Sequence, residues 1–192
     1  MSAKDRITAA ACSIVQGAGL ATVTVGQVAV RAGVSSALVH YHFATKDRLL
    51  AAAAARLAER RADARSAAWG AGKGLAMLDG LWGAIVSDAG VRLERAWRDI
   101  ALLARSDGTV HDALAAARLA EHAAVVNALP SLVRELGATP PIPAEELASV
   151  VIAFIDGLAA QLDEGTPSDV LRTSFDAFWL VLASEGEAPQ RR

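Results

Sequence analysis

Apolar residues near the start of the chain recur as Ile7, Ala10, Ala11, Ile14 and Val15, and the run stops at Gly17-Ala18-Gly19. Steps of three and four mark one helix face, so an amphipathic first helix is predicted over Lys4–Gly17. Thr24 caps a second, short helix with Val25, Val28 and Ala29 inward, and Gly33 ends it. Ser35 caps a third, on which Val39 and Phe43 point the same way as Val34. Thr45 then opens a longer helix from Lys46 to about Ser66. A short helix, a tight turn at Ala32-Gly33-Val34 and a second short helix form a helix-turn-helix. Five more helices are read at about Leu75–Ala89, Val91–Ser106, Thr109–Leu136, Ala144–Glu164 and Ser168–Ser184. Each boundary brings Gly or Pro beside a capping Ser, Thr or Asp, and Pro130 is expected to kink or interrupt the third of these five.

Composition supports an all-α fold of about nine helices. The apolar residues are mainly Ala, Leu and Val and aromatics make up only 5%, whereas strands favour β-branched and aromatic residues. No apolar run approaches the ~20 residues that cross a bilayer, and "MSAKDRITAAACSIVQG" lacks the pattern of a signal peptide. A cytoplasmic protein with no membrane partner is expected. Cys12, the single cysteine, falls on the apolar side of the first helix and is expected to be a small core residue.

Charge is distributed unevenly. Residues 1–66 hold nine basic and four acidic side chains, and residues 67–192 hold ten and seventeen. A basic first third on an acidic body points to nucleic-acid contact at one end.

The third helix supplies the chemistry for that contact. If it packs through Val39 and Phe43, then Ser36, Ala37, Leu38, His40 and Tyr41 turn outward, where packing selects none of them. Ser36 can bond to base edges or phosphates, Leu38 can touch a thymine methyl, and His40 and Tyr41 can reach phosphate oxygens. Lys46, at the first turn of the next helix, can hold a phosphate together with the free amides there. His40 and His42 stand two apart and do not share a face. His111 and His122 share one, but lie about 16 Å apart along a helix, so no metal is expected. "GAGKG" has neither the Gly spacing nor the Ser or Thr after Lys73 that a phosphate loop requires.

At Thr24, Val28-Ala29, Ala32-Gly33-Val34-Ser35, Tyr41-His42-Phe43, Thr45, Lys46 and Leu49 the sequence resembles the TetR family of bacterial transcription regulators. The resemblance is close over Ile7 to Leu50. It implies a helix-turn-helix domain at 1–48, a connecting helix at 49–68, a helical effector-binding and dimerisation domain at 69–186 and a loose tail at 187–192. It also implies DNA contacts from Thr24, Gln27, Ser35, Ser36, Ala37, Leu38, His40, Tyr41, His42 and Lys46, with Thr24 and Lys46 on phosphates and Ser36 to Leu38 facing bases. Three positions depart from the family pattern. His40 stands where Tyr is usual, Gly26 replaces an Arg near the start of the second helix, and Ala44 replaces a frequent Pro.

In the family the last two long helices form the dimer interface. Here those helices carry Val151, Phe154, Leu158 and Leu162, then Leu171, Phe175, Phe178 and Leu182, with further apolar residues such as Val150 and Val181 off the stripes. A helix apolar on more than one face needs more than one partner, so a second copy is expected to cover the surplus. Asp156, an acid within an apolar run, must find a partner, and the interface is favoured over a ligand. An effector pocket is expected among Met77, Leu81, Trp82, Ile85, Trp97, Leu102, His122 and Phe154. The expected function is a repressor released from a palindromic operator by a small, largely apolar ligand, with no cofactor. The competing reading is a helical small-molecule binding protein that has lost DNA binding, which Gly26 favours. No nucleophile or metal motif supports an enzyme.

Overall fold

The computed structural model describes residues 1–184, and among these every regular element is helical. The tail expected at 187–192 lies outside the described residues. The elements are α1 (Ala3–Ala18), a single 3-10 turn at Leu20–Thr22, α2 (Val25–Ala32), α3 (Ser36–Phe43), α4 (Lys46–Gly70), α5 (Ala76–Val86), α6 (Asp88–Leu103), α7 (Gly108–Leu136), α8 (Ala144–Asp163) and α9 (Ser168–Ser184).

Side-chain caps set the first four helix starts. The Ser2 hydroxyl accepts the Asp5 N–H at 3.1 Å while the Asp5 carboxylate accepts the Ser2 N–H at 2.9 Å. Thr24 and Gln27 repeat this exchange at α2. Ser35 accepts from Leu38 N–H and Thr45 from Arg48 N–H, each at 3.2 Å. Gly33 closes α2 at φ +66°, in the left-handed region where a side chain is disfavoured.

Several boundaries differ from those expected, α6 among them, which spans Asp88–Leu103 and not Val91–Ser106, and one expected interruption does not occur. The helix opened by Lys46 continues to Gly70 rather than stopping near Ser66. The next break falls at Ser87 rather than at Ala89, because the Ser87 backbone is extended and its hydroxyl accepts the Gly90 N–H at 3.0 Å. Gly90 belongs there because a Cβ would collide with the Ala84 carbonyl. Pro130 does not interrupt α7. It lies on the exposed face of a helix that runs unbroken through it, where water can satisfy the carbonyl that loses its donor.

The chain divides into two compact units. The first comprises residues 1–62 and 92–118; the second comprises 63–91 and the chain from 119 onward. In the first, Ile7, Ala11, Cys12, Val15, Val28, Val39, Phe43, Leu49 and Leu57 form one buried cluster with Trp97, Ile100 and Val110. Cys12 is fully buried, as expected, and burial pushes its thiol above its ordinary pKa. The Arg61 guanidinium, 1% exposed, donates to Glu94 at 3.0 Å and lies 4.3 Å from the Trp97 ring centre. A buried charge persists only with such partners.

The second unit has its own core of Trp69, Met77, Leu81, Ile85, Val125, Leu129, Leu132, Leu147, Val151, Ile155, Leu158, Leu171, Phe175 and Trp179. Within it Arg65, 4% exposed, reaches Asp156 at 3.4 Å and Glu121 at 3.8 Å.

Candidate nucleic-acid interface

Helix α3 is held by its inner face. Val39 and Phe43 are buried in the first unit's core, and the outer positions Ser36, Ala37, His40 and Tyr41 are exposed. Leu38 and His42 are half-buried at the edges of that face. Tyr41 is 82% exposed, a degree that no packing role explains for so large a ring; its own contact is an edge-on one with His42 at 5.2 Å.

The flanking positions expected to meet a phosphate backbone are open to solvent. Thr24, Gln27, Ser35 and Lys46 are all exposed, at the starts of α2, α3 and α4. At each of these starts one amide is taken by the cap, on Gln27, Leu38 and Arg48, and the other first-turn amides have no partner within their helix. The Thr24 hydroxyl donates to Gln27 Oε1 at 3.0 Å, a bond it must exchange before it can donate to a phosphate oxygen. Ala44, between α3 and α4, takes φ +56°, a value that a proline ring cannot adopt. Lys4, which the sequence reading did not single out, extends over the Phe43 ring at 5.9 Å and brings a further cation to the end of α3. Its only sequence signal is its charge in the basic first third.

The α1–α2 turn is fixed from α6. Asp99 accepts the Leu20 N–H at 2.9 Å, and Gly19, at φ +90°, lets the backbone approach that carboxylate closely.

The ligand candidates do not gather at one place. Trp97 is in the first unit's core and Leu102 is 67% exposed. In the second unit Met77, Leu81 and Ile85 are buried core residues, Trp82 packs on Phe175 at 5.3 Å, and Phe154 stacks on Phe178 at 4.2 Å. His122 is tied to the start of α8 through the Glu145 carbonyl at 2.9 Å and the Ser149 hydroxyl at 3.3 Å. Met77 lines a cavity of about 500 Å³ with Ser66, Trp69, Lys73, Asn127, Ser131 and Arg134. Those polar residues carried no periodic signal that could have marked them.

The interface candidates also sort differently from their stripe. Val151, Leu158, Leu171, Phe175 and Leu182 are buried within the unit itself, and Phe154, Leu162 and Phe178 are half-buried against it. Asp156 has its partner, Arg65, in its own chain. The exposed apolar residues of α8 and α9 are Val150, Val170, Leu180 and Val181.

Residues 7–60 match the profile of the family "bacterial regulatory proteins, tetR family". No curated protein matches the chain in sequence. Among solved structures, a transcriptional regulator from Rhodococcus sp. Rha1 is similar at TM-score 0.77 and 23% identity, over 98% of this chain and 100% of that one. A protein described as a TetR-family transcriptional regulator from Rhodococcus sp. is similar at 0.71 and 22%, over 94% and 98%. A regulator from Saccharomonospora viridis, solved in complex with choline, is similar at 0.72 and 21%, over 92% and 94%. At these identities the likeness is one of fold.

Proposed function

We propose that the chain, whose residues 7–60 match the tetR family of bacterial regulatory proteins and whose fold is similar to such regulators over nearly its whole length, is a homodimeric repressor, released from a palindromic operator by a small ligand. The observation that carries this reading is the outer face of α3. Ser36, Ala37, His40 and Tyr41 lie exposed between Thr24 and Lys46, with Val39 and Phe43 anchoring the opposite side. Such a helix enters a major groove while its flanks grip phosphates.

A dimer presents two copies of that helix to half-sites about one helical turn apart, and the exposed apolar positions of α8 and α9 supply its surface. A ligand acts by binding one of two arrangements of the dimer more tightly. The choline complex of one similar structure supports a small molecule as the effector, without assigning choline to this chain. The DNA-binding positions proposed are Thr24, Gln27, Ser35, Ser36, Ala37, Leu38, His40, Tyr41, His42 and Lys46.

Selection of genomic fragments by the purified protein, with excess random DNA and moderate salt, tests the reading. Enrichment of one inverted repeat is the expected result. Enrichment of nothing, with and without a panel of small molecules, overturns it in favour of a helical ligand-binding protein.

A further inference from the structure

The cavity of about 500 Å³ in the second unit differs in chemistry from its surroundings. Its wall consists of Ser66, Trp69 and Gly70 at the end of α4, Gly72 and Lys73 in the loop, Met77 on α5, and Ala124, Asn127, Ala128, Ser131 and Arg134 on α7. No carboxylate lines it, and neither Lys73 nor Arg134 is in an ion pair among the described residues. The nearby acids are outside the lining, with Glu135 beside the residue that follows Lys73. Glu135 lies against Gly74, and Asp79, in the first turn of α5, is held by Arg172 at 2.9 Å. Helix α5 starts at Ala76 without a side-chain cap, and its first amides, those of Met77 and Leu78, donate to the Gly74 and Leu75 carbonyls.

The remaining wall is apolar. Trp69 is 2% exposed and Met77 1%, so both sit beneath the wall, and the half-buried Ala124 and Ala128 on α7 are the apolar side chains left open to a ligand. The size falls in the range that holds a small organic ligand, about 300–1,000 Å³. Two cations, the Asn127 amide and the Ser66 hydroxyl provide donors along the wall, while the Ser131 hydroxyl is committed to the Ala128 carbonyl at 2.9 Å.

We propose that this cavity binds an amphipathic organic anion, with its carboxylate between Lys73 and Arg134 and an apolar body against the Ala124 and Ala128 face of α7. This deepens the effector part of the proposed function and rests on that reading only for the consequence of binding. The "GAGKG" loop then serves as a ligand wall: Gly72 packs tightly on the first turn of α5, where a Cβ would crowd the Met77 backbone, and Lys73 projects the charge.

Titration calorimetry of the full chain with phenylacetate and octanoate tests it, with phenylacetamide and a quaternary ammonium of similar size as controls. Saturable binding of at least one acid is expected, weaker by about tenfold or more in Lys73→Ala/Arg134→Ala, with circular dichroism unchanged. Arg134→Lys is expected to retain most of the affinity. Absence of binding by both acids, equal binding of the amide or the ammonium ion, or an unaffected double variant overturns the proposal. Operator release is measured separately. Binding without release upholds the site and overturns its role as effector site, whereas operator binding without anion binding overturns this inference alone.

Discussion

The carboxylate of Asp99 on α6 accepts the backbone N–H of Leu20, seventy-nine residues earlier, at 2.9 Å. Leu20 opens the turn that leads to the Thr24 cap of α2, so a residue far along the chain fixes where the helix-turn-helix begins. A hydrogen bond to a charged acceptor contributes roughly 1.5–3 kcal/mol when well buried, and this one is half-buried. Asp99→Ala should therefore cost about 1–2 kcal/mol in urea unfolding. Asp99→Asn keeps an acceptor and should cost less. Equal losses for the two variants would mean that packing, and not the bond to Leu20, holds the turn.

Lys46 and Ser36 should separate by their salt dependence. A cation on a phosphate releases counterions, so Lys46→Ala should weaken binding to all sequences and reduce the slope of log affinity against log salt by about 0.9. Ser36→Ala touches no charge and should leave the slope intact while altering preference at one base pair of each half-site. A Lys46→Ala variant with an unchanged slope would take this lysine out of the interface.

What the sequence revealed follows from how local each cause is. The caps at Thr24, Ser35 and Thr45 and the stop at Gly33 act within four residues, and the inward pair Val39 and Phe43 fixes which side of α3 is free. Caps can also mislead: "DAG" looked like the break, whereas Ser87 one step earlier supplies it. Partnership over long separations had no such signature. Nothing in the spacing of Trp97 and Ile100 assigns them to the cluster around Ile7 and Cys12, and nothing in "VVIAFIDGLAAQL" names Arg65 as the partner of Asp156. The stripe of α9 is legible as apolar, but a stripe does not say whether its own chain or a second copy covers it, and Leu171, Phe175 and Leu182, expected at an interface, are buried in their own unit.

That distinction gives a dimer prediction. Phe175 is fully buried within the unit, whereas Leu180 is 69% and Val181 63% exposed. Leu180→Glu/Val181→Glu should leave the fold and thermal unfolding of the protomer intact and shift the mass seen by light scattering toward the monomer. Phe175→Ala should instead cost about 3–5 kcal/mol through the cavity it leaves. A double variant that remains a dimer would move the interface off this end of α9.

Gly26 offers a gain-of-function test, since the family pattern has arginine there. The position is exposed near the start of α2, and a Cβ built on it meets nothing within 4 Å. The absence of a clash means that Gly26→Arg enters without displacing the core. Replacing a helical glycine should add about 0.5–1 kcal/mol of stability by restricting the unfolded chain. The new guanidinium stands two residues from Thr24, on the edge proposed to grip phosphate. Operator affinity should therefore rise, and the salt slope should steepen by about 0.9 for one added phosphate contact. Increased stability with unchanged affinity and slope would show that this edge of α2 faces away from the DNA, and would count against Thr24 and Gln27 as backbone contacts.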